Sequence, residues 1–143
     1  MSPRASSSTE GLSARTHLDG ADANVRFGES LAQSPDADAT ALGWAITALF
    51  YASVHETRAY LVARHAKRVV AHDDMRGLWD QHPEMRPAKA PYTELKQQSE
   101  SARYYLNPAF LPEDFEYLKG RYSAVRSLLR AKTERAIQAA DGE

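Results

Sequence analysis

Between Leu111 and Leu129 an apolar residue returns at alternating steps of four and three: Leu111, Phe115, Leu118, Tyr122, Val125 and Leu129. That spacing lays one narrow stripe along an α-helix, and the stripe can leave water only by packing against other helices. Glu113 and Asp114 open the segment, while Arg130, Lys132 and Arg135 close it, the order of charge that a helix dipole favours. No stretch of the chain alternates with period two for long enough to argue for a sheet. The chain is therefore expected to be all-α.

The remaining segments fit that class. Through ALGWAITALFYASVHETRAYLVARHAKR, Leu42, Ala45, Leu49, Ala52, Ala59 and Ala63 mark one face, and Trp44, Tyr51, Leu61 and Val62 widen it. This predicts a long central helix, capped at its start by Asp38 or Thr40 after the turn SPDADAT. From Ser13 to about Ala32, Ala14, Leu18, Ala21, Val25 and Ala32 form a narrower stripe, weakened by Gly20 and Gly28. A short helix is expected from Asp73 to about Gln81, ended by Pro83, then a proline-punctuated loop PEMRPAKAP. Pro91 suits the first turn of the next helix, in which Tyr92, Leu95, Ser99 and Ala102 share a face. The expected architecture is an up-and-down bundle of about five helices over residues 13–140, with residues 1–12, rich in Ser and Thr, as a disordered tail.

Length allows one core: 143 residues with 43% hydrophobic content make one domain. Eighteen basic and nineteen acidic residues nearly cancel, so no global field draws the chain to nucleic acid or to an anionic membrane. Any phosphate site must be local. The absence of cysteine removes disulfides, thiolate metal sites and cysteine nucleophiles together, and fits a cytoplasmic location. The amino terminus lacks the apolar run of a secretory signal, and no apolar stretch is long enough to span a bilayer, so no membrane partner is expected.

Proton transfer near neutral pH without cysteine or a metal usually falls to imidazole. Of the histidines, His55 lies mid-helix one turn after Tyr51, next to Glu56 and near Arg58. His72 and Arg76 are four apart and would share a helix face able to hold one phosphate. Arg76 and His82, in RGLWDQH, converge only if the short helix ends before Pro83. In SARYY, Arg103 stands beside Tyr104 and Tyr105, a guanidinium with rings that a base could stack on. Arg68, with Arg64, His65 and Lys67, adds a basic helix end that either contacts phosphate or caps carbonyls. Each of these also has an ordinary structural reading as a packed or capping residue. HExxH, the P-loop and the dinucleotide glycine fingerprint are absent, so neither a metal nor a cofactor is expected.

The run WAITALFYASVHETRAYL, followed by AHDDMRGLWDQHPEMRPAKAPYTEL and SESARYY, resembles small bacterial HEPN-domain proteins over roughly residues 41–105. The resemblance implies an all-α bundle, frequent homodimerisation, and a superfamily whose active members are metal-independent endoribonucleases of toxin–antitoxin and antiphage defence systems. Their signature is an Arg, a spacer of four to six residues, and a His; Arg76 to His82 fits it. In such a site an Arg neutralises the phosphate and a His moves the proton of the 2′-hydroxyl or of the leaving oxygen, so the RNA supplies its own nucleophile. The expected catalytic set is then Arg76, His82, His72 and His55, assembled across a symmetric dimer. Arg103, Tyr104, Arg68 and Tyr51 are the expected RNA or phosphate contacts. The alternative is a non-catalytic module that binds a nucleotide, RNA or a protein partner, such as an antitoxin or a nucleotidyltransferase, through the helix face at Val125 and Leu129. Near-zero net charge favours that alternative.

Overall fold

The protein, seen in a computed structural model, is described over residues 3–67, 75, 77–104 and 109–142, with side chains from Ser13 onward. These residues form five α-helices: α1 (Pro3–Ala32), α2 (Ala39–His65), α3 (Leu78–Gln81), α4 (Lys89–Tyr104) and α5 (Pro112–Asp141). A 3₁₀ segment, Pro83–Ala88, joins α3 to α4, and no strand occurs among the described residues. The all-α expectation is met.

Helix α2 begins where the sequence places a cap. Asp38 is extended, and its carboxylate accepts a hydrogen bond from the Ala41 N–H at 2.9 Å, satisfying one of the free donors of the first turn. At the other end Ala66 enters the left-handed region, with φ 53°, and the Lys67 N–H returns to the Leu61 carbonyl. This fixes Arg64 and His65 in the last turn. Between these caps lies the most buried element of the fold, with Leu42, Ile46, Leu49, Phe50, Tyr60 and Leu61 almost wholly removed from water.

Residue pairings give the directions of the helices. Gly20 lies against His55 and Gly28 against Ala45, so α1 runs antiparallel to α2. Ala102 faces Gly43 while Tyr92 packs on Phe50, so α4 is antiparallel as well. In α5, Phe115 approaches Gly28, Tyr122 meets Glu56, and Ile137 joins Ala59 and Val62, which makes α5 parallel to α2. The result is an up-down-up-down bundle in which α2 and α5 pack on each other as well as on α1 and α4. Ridges along α2 therefore meet neighbours on three sides, which explains why nearly all of its faces are buried.

Several local expectations change. The backbone of α1 is helical from Pro3, upstream of the Ser13 start; a proline suits a first helical position, and packing begins at Ala14. Leu111 is 57% exposed because it stands before α5 as its N-cap residue, where its own N–H donates to Asp114 at 2.7 Å. The stripe thus starts at Phe115 and continues through Thr133 to Ile137. Trp44 does not widen the core face of α2, being 56% exposed. Val125 and Leu129 are buried in the protomer and cannot present a face to a partner. PEMRPAKAP is not a loop: its prolines, with φ held near −65°, suit the 3₁₀ turns that bury Met85 and Ala88. The expected start of the short helix at Asp73 lies outside the described residues.

Gly20 and Gly28, which weaken α1 as a sequence pattern, are what let it approach α2. A Cβ on Gly28 would stand 3.0 Å from the Ala45 carbonyl oxygen, which belongs to a helix backbone and cannot swing aside. Overpacking of this kind costs about 1–3 kcal/mol, against a gain in helix propensity of about 1 kcal/mol. Gly28→Ala is therefore expected to lower the urea midpoint. Gly120, in α5, has nothing within 4 Å of its would-be Cβ, so Gly120→Ala is expected to raise the midpoint by about 0.5–1 kcal/mol of stability.

Candidate functional site

The last turn of α2 and the 3₁₀ segment meet at a corner built around Glu84. His65 Nε2 donates to Glu84 Oε1 at 2.8 Å, and the Tyr60 hydroxyl donates to the same oxygen at 3.1 Å. His82 Nδ1 lies 3.9 Å from it, and the rings of His65 and His82 are stacked with centroids 4.1 Å apart. The same carboxylate lines a hollow of about 190 Å³ whose other walls are Tyr60, Arg64, Lys132 and Arg135. Glu84 thus belongs both to a hollow bordered by three cations and to a pair of imidazoles that do not line that hollow.

The electrostatics of the corner follow from burial and from these partners. Burial, then the charges of His65 and Lys67, hold His82 below the ordinary histidine value, with Glu84 opposing. Burial pushes Glu84 up, but hydrogen bonds to its own backbone, His65 and Tyr60 outweigh it and leave the carboxyl below its usual range. Burial, then Glu84, raises the Tyr60 phenol, which stays protonated and able to donate. His82 is largely covered, its side chain 14% exposed, and its Nε2 has no hydrogen-bond partner among the described residues. His65 stands more open at the rim.

The residues expected from sequence divide into separate places. His82 is at the corner, with its partners in the same protomer. His55 is not: its Nδ1 lies 3.0 Å from Nδ1 of His17 on α1, and Gly20 covers its ring. Ten residues of α2 separate His55 from His65, about 15 Å along the axis, so one reaction centre cannot hold both. Arg103, Tyr104 and Tyr51 do gather. Arg103 Nη1 donates to the Tyr51 hydroxyl at 3.3 Å and its guanidinium lies 4.9 Å from the Tyr104 ring centroid. Its Nε and Nη2 cap Ser99, and the group is far from the Glu84 corner, since Tyr51 and Arg64 are about 20 Å apart along α2. Arg76, His72 and Arg68 lie outside the described residues.

His17 and His55 make a pH-sensitive contact. One Nδ1 must donate and the other accept, and burial, then Arg58, holds His55 below the ordinary value while Glu56 opposes. An unfolded chain then binds protons that the folded one refuses, so stability is full above about pH 6.5 and falls as pH drops below it. His82 acts in the same sense. His55→Gln is expected to shrink the acid loss of thermal stability between neutral and mildly acid buffers, leaving the part due to His82. An unchanged loss would contradict the half-buried imidazole contact.

A second polar cluster escaped the sequence reading. Glu56 is fully buried, accepts from the Tyr122 hydroxyl at 2.7 Å and from Arg130 Nε at 3.1 Å, and is paired with Arg130 Nη2. Arg130 Nη2 also reaches Asp22 at 2.9 Å. The cluster ties α1, α2 and α5 together. Because every group in it is occupied by another, its role is structural.

Comparison with known proteins adds no family. No protein-family model, no curated protein and no solved structure matches the chain. No described helix is long and apolar enough to cross a membrane.

Proposed function

We propose that this is a HEPN-type protein acting on RNA, and that the hollow beside Glu84 is where it holds a backbone phosphate. One observation carries the reading: a single carboxylate both orients one imidazole, with a second 3.9 Å away, and lines a hollow walled by three cations. Arg64, Lys132 and Arg135 would neutralise the non-bridging oxygens. One imidazole removes the proton of the ribose 2′-hydroxyl as its oxygen attacks phosphorus. The other returns a proton to the departing 5′-oxygen, leaving a 2′,3′-cyclic phosphate and a free 5′-hydroxyl. Glu84 holds His65 in orientation through the hydrogen bond from Nε2.

A defence or toxin–antitoxin setting is the biological context this chemistry would serve. The observation that favours the alternative, a module that binds RNA, a nucleotide or a protein without cutting, is the coverage of His82: a ribose hydroxyl reaches His65 more readily than the ring behind it.

The test is incubation of purified protein with mixed RNA in the presence of a chelator. Fragments ending in cyclic phosphate, reduced by Arg64→Ala and Arg135→Ala, are the expected result. RNA retained but uncut would select the binding module, and RNA neither cut nor retained would remove RNA as the ligand and leave only a module for a nucleotide or a protein.

A further inference from the structure

We infer that His65, His82 and Glu84 form a binding site for one divalent transition-metal ion of the zinc type, and that the ion shuts the corner. Each residue offers one ligand atom, and the three atoms lie within 4.8 Å of one another. A tetrahedral ion with bonds of about 2.0–2.1 Å sets its ligand atoms about 3.3–3.5 Å apart. The His65 Nε2 to Glu84 Oε1 distance of 2.8 Å and the His82 Nδ1 to Glu84 Oε1 distance of 3.9 Å bracket that spacing, and the separation of the two imidazole nitrogens lies within 4.8 Å.

The donor set selects the metal. Two imidazole nitrogens and one carboxylate oxygen are the ligands of three-coordinate protein sites for zinc, which leave a fourth position open, whereas magnesium and calcium prefer oxygen alone. Support behind the ligands is present: the Tyr60 hydroxyl donates to Glu84 Oε1, and the two rings lie against each other with centroids 4.1 Å apart. Arg64, Lys132 and Arg135 face the same hollow and oppose a second positive charge, so an anion is favoured at the fourth position. A metal on these nitrogens occupies the lone pairs that RNA cleavage requires. The ion is therefore an inhibitor, and this consequence alone rests on the function proposed above.

The experiment uses tag-free full chain stripped with a chelator. Zinc chloride is titrated by calorimetry, and cobalt(II) is followed by the visible absorption that marks tetrahedral coordination. One ion per chain is expected, with no response to magnesium, and His65→Gln and Glu84→Gln should each weaken binding by more than about tenfold, the least that loss of even an outer partner costs. Both residues lie at the rim, and circular dichroism checks that the variants stay helical. Zinc binding below one ion per chain, or unchanged in both variants, overturns the site. RNA cleavage measured with and without zinc separates the two proposals: binding without any cleavage activity leaves the metal site standing and removes the nuclease, and cleavage that bound zinc does not slow leaves the metal site standing and removes cleavage from this corner.

Discussion

Glu56→Ala is expected to cost about 3–5 kcal/mol of folding stability, a large part of what a single domain possesses. Glu56 is fully buried, and Arg130 has the rest of its charge turned into the same cluster, so removing the carboxylate strands a guanidinium among helices with only Asp22 to meet it. A guanidinium does not lose its proton in a protein, so Arg130 cannot escape by becoming neutral. The Tyr122 hydroxyl would also lose its acceptor. Tyr122→Phe should cost less, about 1.5–3 kcal/mol, because Glu56 keeps both contacts to Arg130. Equilibrium urea unfolding followed by circular dichroism checks both. A Glu56→Ala midpoint close to the native one would mean that water reaches the cluster.

On the functional side, His65→Gln is expected to lower metal-free RNA cleavage by roughly 10²–10⁴-fold, the usual contribution of a positioned proton-transfer group. His65 is the more open of the two stacked imidazoles and is tied to Glu84, so it is the ring a substrate meets first. Glutamine keeps a donor for Glu84 but cannot shuttle a proton. His55→Gln supplies the contrast. That ring is bound to His17 beneath Gly20, about 15 Å away along α2, so its loss should leave the cleavage rate within about twofold while altering acid stability. Equal losses of rate in both variants would mean that cleavage, if seen, is not performed at the Glu84 corner.

The fold was legible in the sequence wherever one residue type carried one physical meaning. Asp38 before an apolar run can hardly do other than cap it, and the three- and four-step stripe of α5 has to be buried. Ends were harder to read. Leu111 continues the arithmetic of the stripe but sits where the backbone is still extended, and periodicity says nothing about where a helix starts. Gly20 and Gly28 weakened the helical pattern because propensity is local, whereas their value lies in the approach of α2 from outside the segment.

The site was legible only in part, and for a related reason. His82 stood out in the sequence through a local Arg and His spacing. His65 read as a helix cap, and Glu84 as one acid in a loop, because their meeting depends on how the 3₁₀ segment folds back across the end of α2. Lys132 and Arg135 were accounted for by the dipole of α5, and only the parallel packing of α2 and α5 brings them to Arg64. His55, one turn from Tyr51 and beside Glu56, looked chemically placed in sequence, and its neighbours across the helix interface are His17 and Gly20. One signal in the sequence could have found the Glu56 cluster, namely an acid inside the apolar run of α2 matched by Arg130 directly after the core position Leu129.

The most direct measurement is a nuclear magnetic resonance titration of the histidine ring signals with a short, uncleavable 2′-O-methyl oligonucleotide. Shifts at His65 and His82, with His17 and His55 unmoved, are the predicted result. Rings at the Glu84 corner that stay still while RNA binds elsewhere, or while it fails to bind at all, would contradict the assignment of that corner to RNA phosphate.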